Sequence, residues 1–219
     1  TFGQSMTFDV RTNIPFFSIF QVPTDAIVKE AMMYLTGKTD VRELADYANH
    51  RWTNNTSRKY HETQGRKLVE GDMGATVASE WANWGQDYRG CENDDREGLD
   101  QLNDLLSNLR DSPLAGPHIM VAWDPHTLDF TIRSQNEILV QFFVAADRQW
   151  IDCCVYIAKI NAFADLPYLV GLYSTVHHII AHLVGLRPRT ITFNIGEAYI
   201  SIPMSGNIEK VILRTPRPW

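Results

Sequence analysis

The chain has 219 residues, with 44% hydrophobic and 21% charged positions and a formal net charge of −6. That balance suits one globular domain with enough apolar material for a core, and it argues against nucleic acid as the main partner. No apolar run reaches the roughly 18 residues of a membrane span, no signal-peptide pattern is visible, and Cys91, Cys153 and Cys154 fit no disulfide framework, so a reducing, cytoplasmic setting is expected.

Residues 7–21 mix β-branched and aromatic types around Pro15, which predicts a strand, a break and a second strand. Thr24 or Asp25 can cap a helix running to about Thr36, with Ile27, Ala31, Met32 and Leu35 as its apolar stripe and Gly37 as its stop. A second helix is expected over Val41–Asn49. The segment Thr53–Glu70 is polar and aperiodic and reads as a loop, so the sequons at Asn54 and Asn55 read as a polar turn. Leucines 99, 102, 105, 106 and 109 then mark a helix near 97–111.

The second half changes character. His118–Trp123, Leu128–Arg133, Ile138–Ala145 and Trp150–Ile157 are strand-like runs separated by short polar breaks. An apolar helix follows over about Leu166–Val184, stopped by Gly185 and Pro188, and then a strand at Thr190–Ile195 and a short amphipathic segment at 205–213. Grouped strands with helices packed on one face predict an α+β fold in a single domain spanning 1–219. Cys153 and Cys154, adjacent on a strand, point to opposite faces and read as small packing residues. His177, His178 and His182 share a helix without an accompanying Glu or Cys, which points to a core or interface role and no metal. Asp104 with Asp111, and Glu80 with Asp87, are pairs that any acidic chain yields by chance.

Several segments taken in order resemble the thymidylate synthase / deoxycytidylate hydroxymethylase superfamily. They are Phe2-Gly-Gln-Ser-Met-Thr-Phe-Asp-Val10, Leu35-Thr-Gly-Lys-Thr39, Asp72-Met-Gly74 with Glu80-Trp81, Ile179-Ile-Ala-His-Leu-Val-Gly-Leu186, Asn194-Ile-Gly-Glu-Ala-Tyr-Ile200 and Arg214-Thr-Pro-Arg-Pro218. The resemblance covers nearly the whole chain and implies a mixed sheet with helices on one face, and a homodimer packed sheet to sheet.

The resemblance also implies a site, and here the chain departs from the family. The family's nucleophilic cysteine precedes a strand similar to Val140-Gln-Phe-Phe-Val144, and a gap-free count back puts Asn136 at the cysteine and Glu137 at the following histidine. The phosphate-holding arginines correspond to Gly116, Pro117 and Ala158, and an aspartate to Asn161. Lys159 is the neighbouring cation, but strand alternation is expected to aim it at the other face. The base-reading asparagine corresponds to Leu169, the sugar-holding His and Tyr to Tyr199 and Ser201, a glycine to Asp165, and an active-site tyrosine to Val77. Glu30 and Trp52 match the family's proton-relay glutamate and cofactor-side tryptophan. Asparagine is no nucleophile, so dUMP methylation is not expected. The remnant pocket, with Asn136, Glu137, Asp165 and Tyr199, is expected to be polar and partly acidic.

Two functions stay open. One is a non-catalytic binding, regulatory or assembly protein with no cofactor and a possible protein partner. The other is a pyrimidine C5 methyl- or hydroxymethyltransferase with altered substrate and chemistry, for which a folate is implied.

Overall fold

In a computed structural model, residues 1–17, 23–44, 52, 55–133, 135–202, 206, 208, 210, 211 and 213 are described. Five strands form one mixed sheet: β1 (Phe2–Asp9), β2 (His118–Val121), β3 (Glu137–Val144), β4 (Trp150–Asn161) and β5 (Arg187–Tyr199), in the order β1-β5-β4-β3-β2. Only β4 and β5 run parallel, and helix Leu166–Leu183 makes the crossover that a parallel pair requires. The other neighbours are antiparallel. The fold is α+β, as the grouping of strand-like runs predicts.

Helices α1 (Thr24–Thr36), α2 (Arg58–Thr63), α3 (Val77–Ala82), α4 (Gln101–Asp111) and α5 (Leu166–Leu183) complete the described elements, with a 3-10 turn at Val41–Glu43. Alternation decides which sheet face the helices cover. Val140, Phe142 and Val144 on β3, Ile151, Cys153, Val155 and Ile157 on β4, and Ile191, Phe193 and Ile195 on β5 are all buried on one side. Helix α5 packs there against β4 and β5, and α1 packs on α5. Gly171 makes that second contact close, because a Cβ there would stand 2.8 Å from both Ile27 Cδ1 and Phe16 Cε1. Tyr34, Trp81 and Tyr173 meet edge to face beside this seam, with ring centroids 5.8–6.4 Å apart. On edge strand β2, Gln101 of α4 both accepts from Val121 N and donates to Val121 O, each at 2.8 Å.

Three expectations need correction. The first strand is Phe2–Asp9, earlier than 7–21, held by ladder bonds to β5 and by Met6 and Phe8 packing on the core. The run 128–133 is not a strand. Leu128–Phe130 is a 3-10 turn, and Arg66 donates from Nε to Asp129 O and from Nη2 to Thr131 O, each at 2.9 Å, taking carbonyls that a ladder needs. The polar stretch Thr53–Glu70 contains α2, started by Ser57 Oγ accepting from Tyr60 N. Helix α3 carries no long period that could announce it.

Of the helix expected over Val41–Asn49, Val41–Glu43 is a 3-10 turn that ends at an extended Leu44, and residues 45–49 lie outside the described residues. The segment 205–213 is described only in part, and Arg214–Pro218 lies outside.

Candidate functional site

A cavity of about 300 Å³ opens where α1, the start of β3, the end of β4 and the first turn of α5 converge. Its polar lining includes Glu30, Asn136, Glu137, Lys159, Asp165 and Tyr199, with Arg133 and Trp52 beside them. Each arrives by a simple local reason. Glu137 opens β3, and Asn136, one residue before it, accepts a 2.7 Å bond from Ala158 N that ties this corner to β4. Asp165 sits at the N-cap of α5, where its own N–H donates back to Asn161 O. Glu30 lies on α1, 2% exposed, and Tyr168 of α5 donates its hydroxyl to it at 2.6 Å. Trp52 is 8% exposed, and the Arg133 guanidinium lies 5.0 Å over its ring.

Asn161 and Ser201 do not line the cavity. Asn161 builds the turn into α5, its Oδ1 accepting from Phe163 N and Ala164 N at 3.1 Å each, while its Nδ2 reaches Ser201 Oγ at 3.3 Å. Lys159, expected on the other face, lines the cavity instead. Counting along β4, it follows Ile157, Val155 and Cys153 onto the helix side, and Ala158 is the residue that shares the Tyr156 side. Arg133 was not anticipated. It follows the 128–130 turn, and nothing in its sequence neighbours signals a cavity residue.

The two cations are both paired. Arg133 Nη2 stands 3.8 Å from Asp165 Oδ1, and Lys159 Nζ stands 3.0 Å from Glu197 Oε1 and 5.1 Å from the centre of the Tyr199 ring. Lys159 and Glu197 are direct partners in the β4–β5 register, so the strand pairing itself places that ion pair.

None of the three cysteines lines the cavity. Cys153 is buried in the core and burial pushes its thiol up. Cys154, on the opposite face, is also raised by burial and accepts from Asn194 Nδ2 at 3.0 Å. Cys91 is pushed up to about 12 by burial and by the neighbouring Asp72 carboxylate. All three are thiols rather than thiolates at neutral pH, the unreactive form.

Elsewhere, Asp72 is fully buried and accepts from Gly74 N, Tyr88 Oη and Cys91 N at 2.7–2.8 Å, which fastens the 85–91 loop to the body. Glu80 on α3 lines a second, smaller cavity of about 100 Å³. Burial raises its carboxyl to about 7, against a 2.7 Å hydrogen bond donated by Thr127. Asp87 pairs instead with His126, at 2.8 Å. His177 is a core residue, donating from Nε2 to Ile151 O at 3.0 Å, and burial lowers it to about 4. His182 is exposed. No helix among the described residues is long and apolar enough to cross a membrane.

Comparison with known proteins fixes the family. The family model described as thymidylate synthase matches residues 1–219. The chain is 29% identical over 202 residues to the bifunctional dihydrofolate reductase-thymidylate synthase of Leishmania major, covering 91% of this chain and 39% of that protein. It is 26% identical over 220 residues to the thymidylate synthases of varicella-zoster virus (strain Dumas) and Homo sapiens, covering all of this chain and 72% and 70% of theirs. The chain thus spans about two fifths of the bifunctional relative's length. With a model match along all 219 residues and a five-stranded mixed sheet carrying its helices on one face, the chain belongs to the thymidylate synthase family.

Proposed function

We propose that this chain is a non-catalytic binding, regulatory or assembly member of its family and does not methylate dUMP. The observation that carries the reading is the cavity lining, in which Asn136 and Glu137 stand at the start of β3 and no thiol is present among the described residues. Methylation at C5 of a pyrimidine by this family's route needs a thiolate to add at C6, and an amide cannot supply it. Phosphate binding loses its guanidinium donors at Gly116, Pro117 and Ala158, each charge-assisted contact being worth roughly 1.5–3 kcal/mol.

A folate fits poorly. Trp52, the position that resembles the family's cofactor-side tryptophan, is 8% exposed and Arg133 covers a face of its ring, so little stacking surface is offered. The alternative, a C5 methyl- or hydroxymethyltransferase on an altered substrate, draws support only from the retained Glu30 and its Tyr168 partner.

A homodimer belongs to the same proposal. The sheet face opposite the helices carries Phe143 at 60% exposure, Ile119 at 40% and Tyr156 at 39%, an apolar surface suited to a second copy. The free cysteines support a reducing, intracellular setting.

The test is turnover. Protein incubated with dUMP tritiated at C5 and methylenetetrahydrofolate should release no tritium to water above the buffer control. Release that scales with protein concentration overturns the reading.

A further inference from the structure

The cavity holds two cations, yet each is held by a carboxylate that stands outside the buried core. Asp165 lies 3.8 Å from Arg133 with both side chains about one-third exposed, and Glu197 lies 3.0 Å from Lys159 with both about half exposed. All four groups are therefore within reach of a solvent-borne ligand. Among the described lining residues, Glu30 and Glu137 add two more carboxylates to the wall. A phosphate monoester entering here meets Arg133 and Lys159 already paired and is repelled by the Asp165 and Glu197 carboxylates that hold them. An uncharged ring compound meets the Tyr34 and Tyr199 rings and the Asn136 amide without that penalty.

We propose that Asp165 and Glu197 set the charge selectivity of this cavity. By neutralising Arg133 and Lys159 they admit uncharged, hydrogen-bonding ring compounds and turn away the phosphate esters of the same compounds. Asp165 has the larger share, because it lines the cavity itself while Glu197 acts through Lys159. This rests on the reading of the cavity as a ligand site in a non-catalytic protein. It goes beyond that reading by naming the residues that exclude the phosphate, which are separate from the positions where arginines are missing.

The experiment compares deoxyuridine and dUMP, which differ only in the phosphate, by calorimetry on the full chain at low salt. Four proteins are needed: wild type, Asp165→Asn, Glu197→Gln and the double variant, each checked by thermal melting. Both substitutions are near-isosteric and remove charge alone. Wild type should bind dUMP no more tightly than deoxyuridine. The double variant should gain at least about tenfold in dUMP affinity, since two negative charges close to the phosphate are removed at once. Its deoxyuridine affinity should stay within about threefold of wild type, and the dUMP gain should shrink with added salt.

Adding Arg133→Gln to Asp165→Asn should abolish that variant's gain, which a merely structural role for Asp165 would not produce. Wild type binding dUMP tenfold more tightly than deoxyuridine overturns the proposal. So does a folded double variant with no gain in dUMP affinity, including one that binds neither compound. Tritium release tests the non-catalytic reading separately. A protein can bind dUMP tightly without turning it over, or turn over a phosphate-free pyrimidine while still excluding dUMP.

Discussion

Two buried titratable residues pull stability in opposite directions with pH. Glu80 ionises near 4.5 when free but near 7 when folded, because burial disfavours its charge. Between those values the unfolded chain binds fewer protons, so stability falls as pH rises through the window, by about 3 kcal/mol at full extent. His177 is the mirror case, ordinarily near 6.5 and about 4 when folded. The unfolded chain then binds more protons between those values, and stability rises with pH by a similar amount. From about pH 4.5 to 6.5 the two slopes largely cancel. Glu80→Gln keeps an acceptor for the Thr127 hydroxyl while removing one slope. Relative to wild type, the variant should gain nothing at pH 4.5 and about 2–3 kcal/mol above pH 7, read from urea melts at pH 4.5, 6 and 8. A pH-independent difference would show that the carboxyl does not titrate in that window. Neither group touches the 300 Å³ cavity, so this pH dependence belongs to the fold and not to ligand binding.

At the scale of elements, the α1–α5 seam depends on the missing side chain at Gly171. Alanine there gains helix propensity of about 1 kcal/mol but drives a methyl against Ile27 and Phe16 at 2.8 Å. Gly171→Ala should be destabilised by about 1 kcal/mol net and Gly171→Leu by several, in urea denaturation. A stabilised alanine variant would mean that the seam yields freely. What was legible in the sequence follows the same division between local and tertiary causes. The end of α1 could be read because Gly37, at φ +71°, closes it, whereas its start is capped by neither Thr24 nor Asp25: the N-cap is Pro23, with no side-chain cap bond. Strand β3 could be read because Val140, Phe142 and Val144 alternate with exposed Gln141 and Phe143. Leu128–Phe130 could not, because its conformation is set by Arg66, more than sixty residues earlier, and by Gly74, whose flank packs on Phe130 O. Arg133 inherits that difficulty. Its place beside Asp165 and Trp52 depends on how this turn is pinned, which no neighbouring residue records. Lys159 is hard to aim from sequence for a different reason: the helix side of β4, not the Ala158 side, forms the cavity wall.

For the whole molecule, the uncovered sheet face makes the strongest demand. Ile119, Gln141, Cys154, Thr192 and Thr7 form one continuous row across all five strands, with Phe143 and Tyr156 in flanking rows. A second copy seated there buries Phe143, so Phe143→Glu should convert a dimer to a monomer in sedimentation equilibrium while leaving the melting profile of the monomer intact. Wild type sedimenting as a monomer at micromolar concentration would remove the dimer from the proposal. The apolar core between sheet and helices is a separate asset. Most of its buried members, from Val140 through Val155 to Phe193, lie away from the cavity, and Tyr34, Val77, Ile160 and Leu169 are shared between the two. Substitutions at Asn136, Glu137, Arg133 or Lys159 should therefore change what the opening recognises at a smaller cost to folding than substitutions at Val140, Val155 or Phe193. If the proposed binding role holds, specificity is rewritable: the polar wall of the cavity is open to change while the helix-covered sheet holds the architecture constant.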